Sequence, residues 1–96
     1  MVEIIAELGW NFIGDMSLAE EMVESAKECG ADVVKFQYWD RNKLKPGVWD
    51  TDGRKEIYEK AFLTSEKINH LKEVCRNMDI RFLISVFNAG DAKTIK

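Results

Sequence analysis

Hydrophobic and polar positions in this chain follow two different periods. Three short runs show the period of two that is typical of strands, at residues 2–8, 32–38 and 80–87. Between them, apolar residues recur at helical spacing, at 17–29 and again at about 65–78. Strands that alternate with helices predict a parallel sheet covered by helices, which is an α/β fold.

The two longer helices carry end signals. Ser17 and Glu20 fit a capping box, in which the two side chains satisfy free backbone N–H groups, so we expect the first helix to start there. Gly30 stands where the residue after a helix commonly adopts a left-handed conformation. Either Thr64 or Ser65 is expected to cap the later helix.

A polar segment at 39–55 separates the second strand from a short helix that we predict at about 55–62. Loops of this length are uncommon and are often binding loops. Residues 92–96 read as the first turn of a further helix. Three aromatic residues lie in or near this segment and either stack on a sugar ring or anchor the loop: Trp39, Trp49 and Tyr58.

One face of each predicted strand carries a polar side chain near its carboxyl end. These are Glu7 in the first strand, Lys35 and Gln37 in the second, and Ser85 in the third. Ligands of barrels and open α/β sheets bind at that end of the strands. A buried lysine needs an anion nearby, so the pattern predicts a site for an anionic, polyhydroxylated ligand. From the pattern alone, a structural ion pair between Glu7 and Lys35 is the alternative.

Composition narrows the class of protein. The 96 residues are 46% hydrophobic and 32% charged with a net charge of −3, which is typical of one small globular unit. No basic stripe is present, so nucleic acid is not an expected partner. The start lacks a secretory signal and no apolar run reaches membrane-spanning length, so we expect no membrane partner and a cytoplasmic location. Cys29 and Cys75 are far apart and are expected to be small buried hydrophobic residues.

Three segments together resemble the opening of the sialic acid synthases, which include N-acetylneuraminate, legionaminate and pseudaminate synthases. The sequence reads EIIAELGWN at residues 3–11, GADVVKFQ at 30–37 and SVF at 85–87. The resemblance covers nearly the whole chain, with the three motifs in the same order and spacing as in that family.

This resemblance implies a fold and a reaction. It implies that residues 1–96 are the first three βα units of a (β/α)₈ TIM barrel, an incomplete domain. Members are transferases that condense phosphoenolpyruvate with N-acetylmannosamine or a related amino sugar and release phosphate. They use a divalent metal, Mn or Mg, whose ligands lie on later strands, so no metal ligand is expected in this segment.

The resemblance also implies roles for five residues. Lys35 would hold the anionic groups of phosphoenolpyruvate, and Ser85 would donate a hydrogen bond to the same ligand. Gln37 would face the sugar and Asn11 would also bind substrate. Glu7 would be the catalytic residue, which contacts the substrates or orients the attacking water.

The sequence departs from the family pattern in the turn after the first strand. Phe12 stands where the family has a histidine, and a phenylalanine can neither hydrogen-bond nor titrate. The single histidine, His70, is expected on a helix surface.

Other functions stay open at this point. The chain could be a non-catalytic assembly module that completes the barrel of a partner, or part of a related phosphoenolpyruvate-dependent aldol-type synthase. A homo-oligomer is also possible, and the isolated segment is expected to be inactive.

Overall fold

The computed structural model describes residues 2–39, 47 and 51–86, which form a three-stranded parallel sheet and three helices. The elements, in chain order, are β1 (Ile5–Gly9), α1 (Met16–Glu28), β2 (Val33–Tyr38), α2 (Arg54–Ala61), α3 (Ser65–Asn77) and β3 (Arg81–Val86). The strands lie in the order β1-β2-β3 with every pair parallel, which confirms the predicted α/β fold. The predicted helical turn at 92–96 lies outside the described residues, as does Trp49.

One face of the sheet forms the core. Val34 and Phe36 of the central strand are completely buried there. Strand alternation puts the neighbouring even-numbered positions of β2 on this face, where the apolar sides of α1 and α3 cover them. The helix residues in this core include Ala19, Val23, Ile68, Leu71 and Cys75.

The opposite face, which we call the open face, carries the odd-numbered residues of β2. Lys35 and Gln37 lie there, aligned with Leu83 and Ser85 on β3. Two large apolar side chains on this face are well exposed, Ile5 at 50% and Leu83 at 44%. The lysine is therefore half-exposed in this structure rather than buried.

The capping-box prediction for α1 is wrong. The helix begins at Met16, and the side chain of Asp15 accepts a hydrogen bond of 3.1 Å from the backbone N–H of Leu18. Ser17 lies inside the first turn. Aspartate and serine are equally good caps. Because the preceding turn ends at Gly14, the helix can be capped at Asp15, two residues earlier than predicted.

The other end signals are confirmed. Gly30 has a φ of +94° just after α1, which is a left-handed conformation that a residue with a side chain rarely adopts. Thr64 is the cap of α3, since its hydroxyl oxygen accepts a hydrogen bond of 3.2 Å from the backbone N–H of Lys67.

Only one of the two cysteines is buried. Cys75 is 1% exposed, and burial raises the pKa of its thiol to about 11. Cys29 is exposed, contrary to prediction, because it is the C-cap of α1 and leaves the apolar stripe where the helix ends. His70 lies on the surface of α3 as predicted, with its Nε2 3.3 Å from the Oε1 of Glu20 on α1.

None of the helices in residues 2–39 and 51–86 has both the length and the apolar character that a membrane crossing needs.

Candidate functional site

The carboxylate of Glu7 joins the two polar side chains of β2. Its Oε2 lies 4.0 Å from the Nζ of Lys35. Its Oε1 accepts a hydrogen bond of 3.2 Å from the Nε2 of Gln37. The side chains of Lys35 and Glu7 are 36% and 47% exposed, and such pairs contribute only about 0–1 kcal/mol to stability. The pair therefore adds little to the stability of the fold, and solvent can reach all three groups from the open face.

A register shift in β1 lies next to this contact, at Glu7 and Gly9. Glu7 pairs with Lys35, but the next pairing is Gly9 with Phe36, so β1 advances two residues while β2 advances one. Gly9 has a φ of +56°, and a Cβ there would lie 3.6 Å from Glu7 Oε1, within ordinary contact. The left-handed backbone, rather than lack of space, is what favours glycine at this position.

Ser85 and Asn11 lie at the same end of the sheet but outside this contact. Ser85 is directly opposite Gln37 in the parallel register. Its hydroxyl donates to the carbonyl oxygen of Phe36 at 3.5 Å, a distance at which a hydrogen bond is weak. Asn11 is exposed in the turn after β1, two residues beyond the bulge. The structure thus brings Glu7, Lys35 and Gln37 together and leaves the other two predicted residues beside them.

Phe12 faces away from the open face. It is 2% exposed and packs edge-on against Phe36, with the ring centroids 5.8 Å apart. Phe36 belongs to the face that the helices cover. The phenylalanine is therefore a core residue that anchors the turn, and Asn11 is its exposed polar neighbour.

An aromatic cluster lies where β1 and β2 end. Trp10 contacts Trp39 edge-on at 5.5 Å between ring centroids and Tyr58 at 6.0 Å, and the last two are 6.3 Å apart. Trp39 is only 5% exposed. Of the two alternatives left by the sequence, the structure favours anchoring for Trp39 and Tyr58. Sequence reasoning missed Trp10, although its place directly after Gly9 could have suggested it.

The described residues do not fit a metal centre. Within residues 2–39, 47 and 51–86, no three His, Cys, Asp or Glu side chains come close enough to hold a metal ion. Asp52, in the acidic part of the polar segment, binds Arg54, whose hydrogen bond lowers the pKa of that carboxyl. The divalent ion that the family resemblance implies would need ligands from elsewhere, and it stays an expectation.

Sequential parallel strands, helices on one face and polar side chains at the carboxyl ends define the class: the first part of a TIM-barrel-type fold. A model described as the NeuB family matches residues 22–96. The chain belongs to this family.

Curated relatives match along most of the chain. It is 31% identical over 106 residues to the pseudaminic acid synthase of Campylobacter jejuni, covering 99% of this chain and 31% of that protein. It is 33% identical over 96 residues to the N,N'-diacetyllegionaminic acid synthase of Legionella pneumophila, covering 88% and 27%. The chain thus spans less than a third of the length of these relatives.

A solved structure shares the fold. The N-acetylneuraminic acid synthetase of Leptospira borgpetersenii, crystallised with citrate, superposes with a TM-score of 0.78 at 27% identity. The match covers 98% of this chain and 32% of that one. The predicted family and the predicted barrel are therefore confirmed.

Proposed function

We propose that this chain supplies part of the substrate-binding wall of a nonulosonic acid synthase. The enzyme would condense phosphoenolpyruvate with N-acetylmannosamine or a related N-acetylated amino sugar. One observation carries the proposal: Glu7 contacts both Lys35 and Gln37 on the open face, at the carboxyl end of parallel strands. Membership of a family with sialic-type acid synthases among its relatives supports it.

Two of the site residues would bind phosphoenolpyruvate and two would bind the sugar. Lys35 presents a compact ammonium charge that suits the carboxylate or phosphate of phosphoenolpyruvate. Ser85, whose present hydrogen bond is weak, turns its hydroxyl toward the same ligand. Gln37 and Asn11 supply amide groups for the hydroxyl and N-acetyl groups of the sugar.

The reaction forms a carbon–carbon bond and a bond between C2 and the oxygen of water, and it breaks the bond between C2 and the phosphate oxygen. C3 of phosphoenolpyruvate attacks the aldehyde carbon of the sugar, water adds at C2, and inorganic phosphate leaves. Glu7 contacts the substrates or orients the attacking water. Lys35 stabilises negative charge from a fixed position, which avoids reorganisation during the reaction.

The chain by itself is expected to bind weakly and to turn over negligibly. The described residues contain three strands, whereas a complete barrel has eight. The missing walls of the pocket would come from the rest of such a barrel.

Titration of the chain with phosphoenolpyruvate, followed by nuclear magnetic resonance, tests the proposal. We expect shifts centred on Lys35 and Ser85 that disappear in Lys35→Ala, with at least about tenfold weaker binding because an ion pair with the ligand is lost. Lys27→Ala is the matched control, because Lys27 binds the carbonyl oxygen of Asp79 at the other end of the sheet. Equal binding by the wild type, Lys35→Ala and Lys27→Ala would contradict the proposal.

Catalysis is tested in a chimera. The chain replaces the matching segment of the Campylobacter jejuni pseudaminic acid synthase, and product formation is measured with a panel of N-acetylated amino sugars and sugar phosphates. We expect activity that Lys35→Ala lowers mainly through the KM for phosphoenolpyruvate. Preference for a sugar phosphate would favour the related aldol-type synthase instead.

A second candidate, a non-catalytic assembly module, is favoured by the exposure of Ile5 and Leu83 on the open face. Such a module would associate through this face and show no specific response to phosphoenolpyruvate.

A further inference from the structure

The turn between β1 and α1 contains the site residue Asn11, and Glu7 lies just before it, near the end of β1. Its backbone is unusual, because Ile13 has a φ of +46° in addition to the positive φ values of Gly9 and Gly14. A left-handed isoleucine is strained and persists only where the surroundings hold it. The question is therefore what holds this turn.

Helix α2 contacts the turn at both ends. At the first end, the ring of Trp10 packs edge-on against Tyr58 of α2. At the second end, the backbone of Gly14 approaches the last turn of α2 so closely that a Cβ would lie 2.1 Å from the carbonyl oxygen of Lys60. Phe12 anchors the middle of the turn in the core, and these two contacts with one short helix hold its ends.

The same aromatic contact reaches both strands of the site. Trp10 directly follows Gly9. The bulge at Gly9 adjoins the hydrogen bond between Glu7 and Gln37. Trp39 directly follows β2, two residues after Gln37, and packs on both Trp10 and Tyr58. A displacement of Tyr58 would therefore be passed to the ends of both strands.

We propose that Tyr58 is a positioning residue, which acts through Trp10 and Trp39 to keep Glu7 against Gln37. The inference rests on the proposed function, because it treats this contact as part of a substrate site. In this role Tyr58 would act through its two neighbours and not by contact with substrate. Helix α2, inserted in the β2–α3 connection, would then be the element that sets the geometry of the site.

The test follows the side-chain amide resonances of Gln37 in the ¹⁵N-labelled chain without ligand. Glu7→Ala defines the resonance positions when the contact is lost. We expect Tyr58→Leu, which removes the aromatic ring, to shift the Gln37 signals most of the way to those positions. Tyr58→Phe, which keeps the ring, should restore them.

The matched control is Ile57→Ala, which alters the neighbouring, 40% exposed position of the same helix. It should leave the Gln37 signals in place. Unchanged signals in a folded Tyr58→Leu chain, or an equal shift in Ile57→Ala, would overturn the inference. If Tyr58→Leu does not fold, Trp10→Leu removes the ring on the other side of the contact and gives the same comparison.

A ligand measurement separates this inference from the proposed function. Tyr58→Leu should weaken phosphoenolpyruvate binding by about tenfold, since misplaced groups bind and react less well. Phosphoenolpyruvate binding that Lys35→Ala leaves unchanged would contradict the proposed function. Gln37 signals that do not respond to Tyr58→Leu would contradict the positioning role, so the two failures are distinct.

Discussion

Two glycines of this chain differ in what surrounds them, although both have a left-handed backbone. Gly14 has a φ of +76° and lies against the carbonyl oxygen of Lys60. Gly30 has a φ of +94°, and a Cβ there would meet nothing within 4 Å. A side chain at Gly30 would therefore meet backbone strain only, whereas one at Gly14 would meet both strain and a steric clash.

We expect Gly30→Ala to lower the free energy of unfolding by about 1–2 kcal/mol, through strain alone. Gly14→Ala should cost clearly more, because the carbonyl of Lys60 must also move. Urea denaturation measures the difference, provided that the two variants have the same m-value. Equal losses would mean that the contact between Gly14 and the carbonyl of Lys60 adds no steric cost.

The thiol of Cys75 links stability to pH. Its pKa is raised by burial from 9.0 to about 11, so the folded state holds the proton more tightly than the unfolded state. The stabilisation is complete below pH 9 and is lost as the pH rises to 11 and above.

We therefore expect the wild type to lose on the order of 2 kcal/mol more than Cys75→Ala when the pH rises from 8 to 11. Urea denaturation under reducing conditions at several pH values measures this loss. Cys29 is exposed and present in both proteins, so its titration cancels. Parallel pH profiles would show that the Cys75 thiol ionises as readily in the folded chain as in the unfolded one.

At the level of elements, the helix ends show what a local pattern can and cannot decide. The sequence pattern predicts the cap of α1 at Ser17, whereas the structure uses Asp15, and either side chain can bind a free N–H group. The choice depends on where the preceding turn delivers the chain, and this is set by the tertiary contacts of that turn. The cap of α3 at Thr64 was predictable, because the alternative was only one residue away.

Asp15→Ala should lower the free energy of unfolding by about 0.5–2 kcal/mol, because it removes the hydrogen bond to Leu18 N–H. Ser17→Ala is the matched control and should change it by less than about 0.5 kcal/mol, since this residue is exposed within the first turn. Thermal and urea denaturation measure both. A larger loss for Ser17→Ala would restore the capping box.

At the level of the whole molecule, the sheet is covered on one side only in the part that the structure describes. Side-chain alternation along a strand is geometric, so the sequence was sufficient to place Glu7, Lys35, Gln37 and Ser85 on one face. The aromatic cluster was not predictable in this way. Its members come from three segments separated by about 20 to 30 residues, and only the folded chain brings them together.

The open face predicts association of the isolated chain. Ile5 and Leu83 are exposed on it, and both edge strands of the described sheet have free ladders that invite pairing. We expect sedimentation velocity to show concentration-dependent self-association that the double change Ile5→Thr and Leu83→Thr reduces, since threonine keeps the strand propensity.

The control carries Val2→Thr and Ile57→Thr, which alter two apolar residues that are exposed elsewhere. It should associate like the wild type. A chain that stays monomeric at high concentration would count against the assembly-module candidate.

The contact between Glu7 and Lys35 has a thermodynamic consequence for any anion that arrives there. The ammonium already has a carboxylate at 4.0 Å, so an incoming carboxylate or phosphate that displaces Glu7 would exchange one counter-ion for another. Its affinity by that route is the difference between the free energies of two ion pairs. Added salt screens the old pair and the new one together, which would leave such an exchange less sensitive to ionic strength than simple capture by a lone lysine.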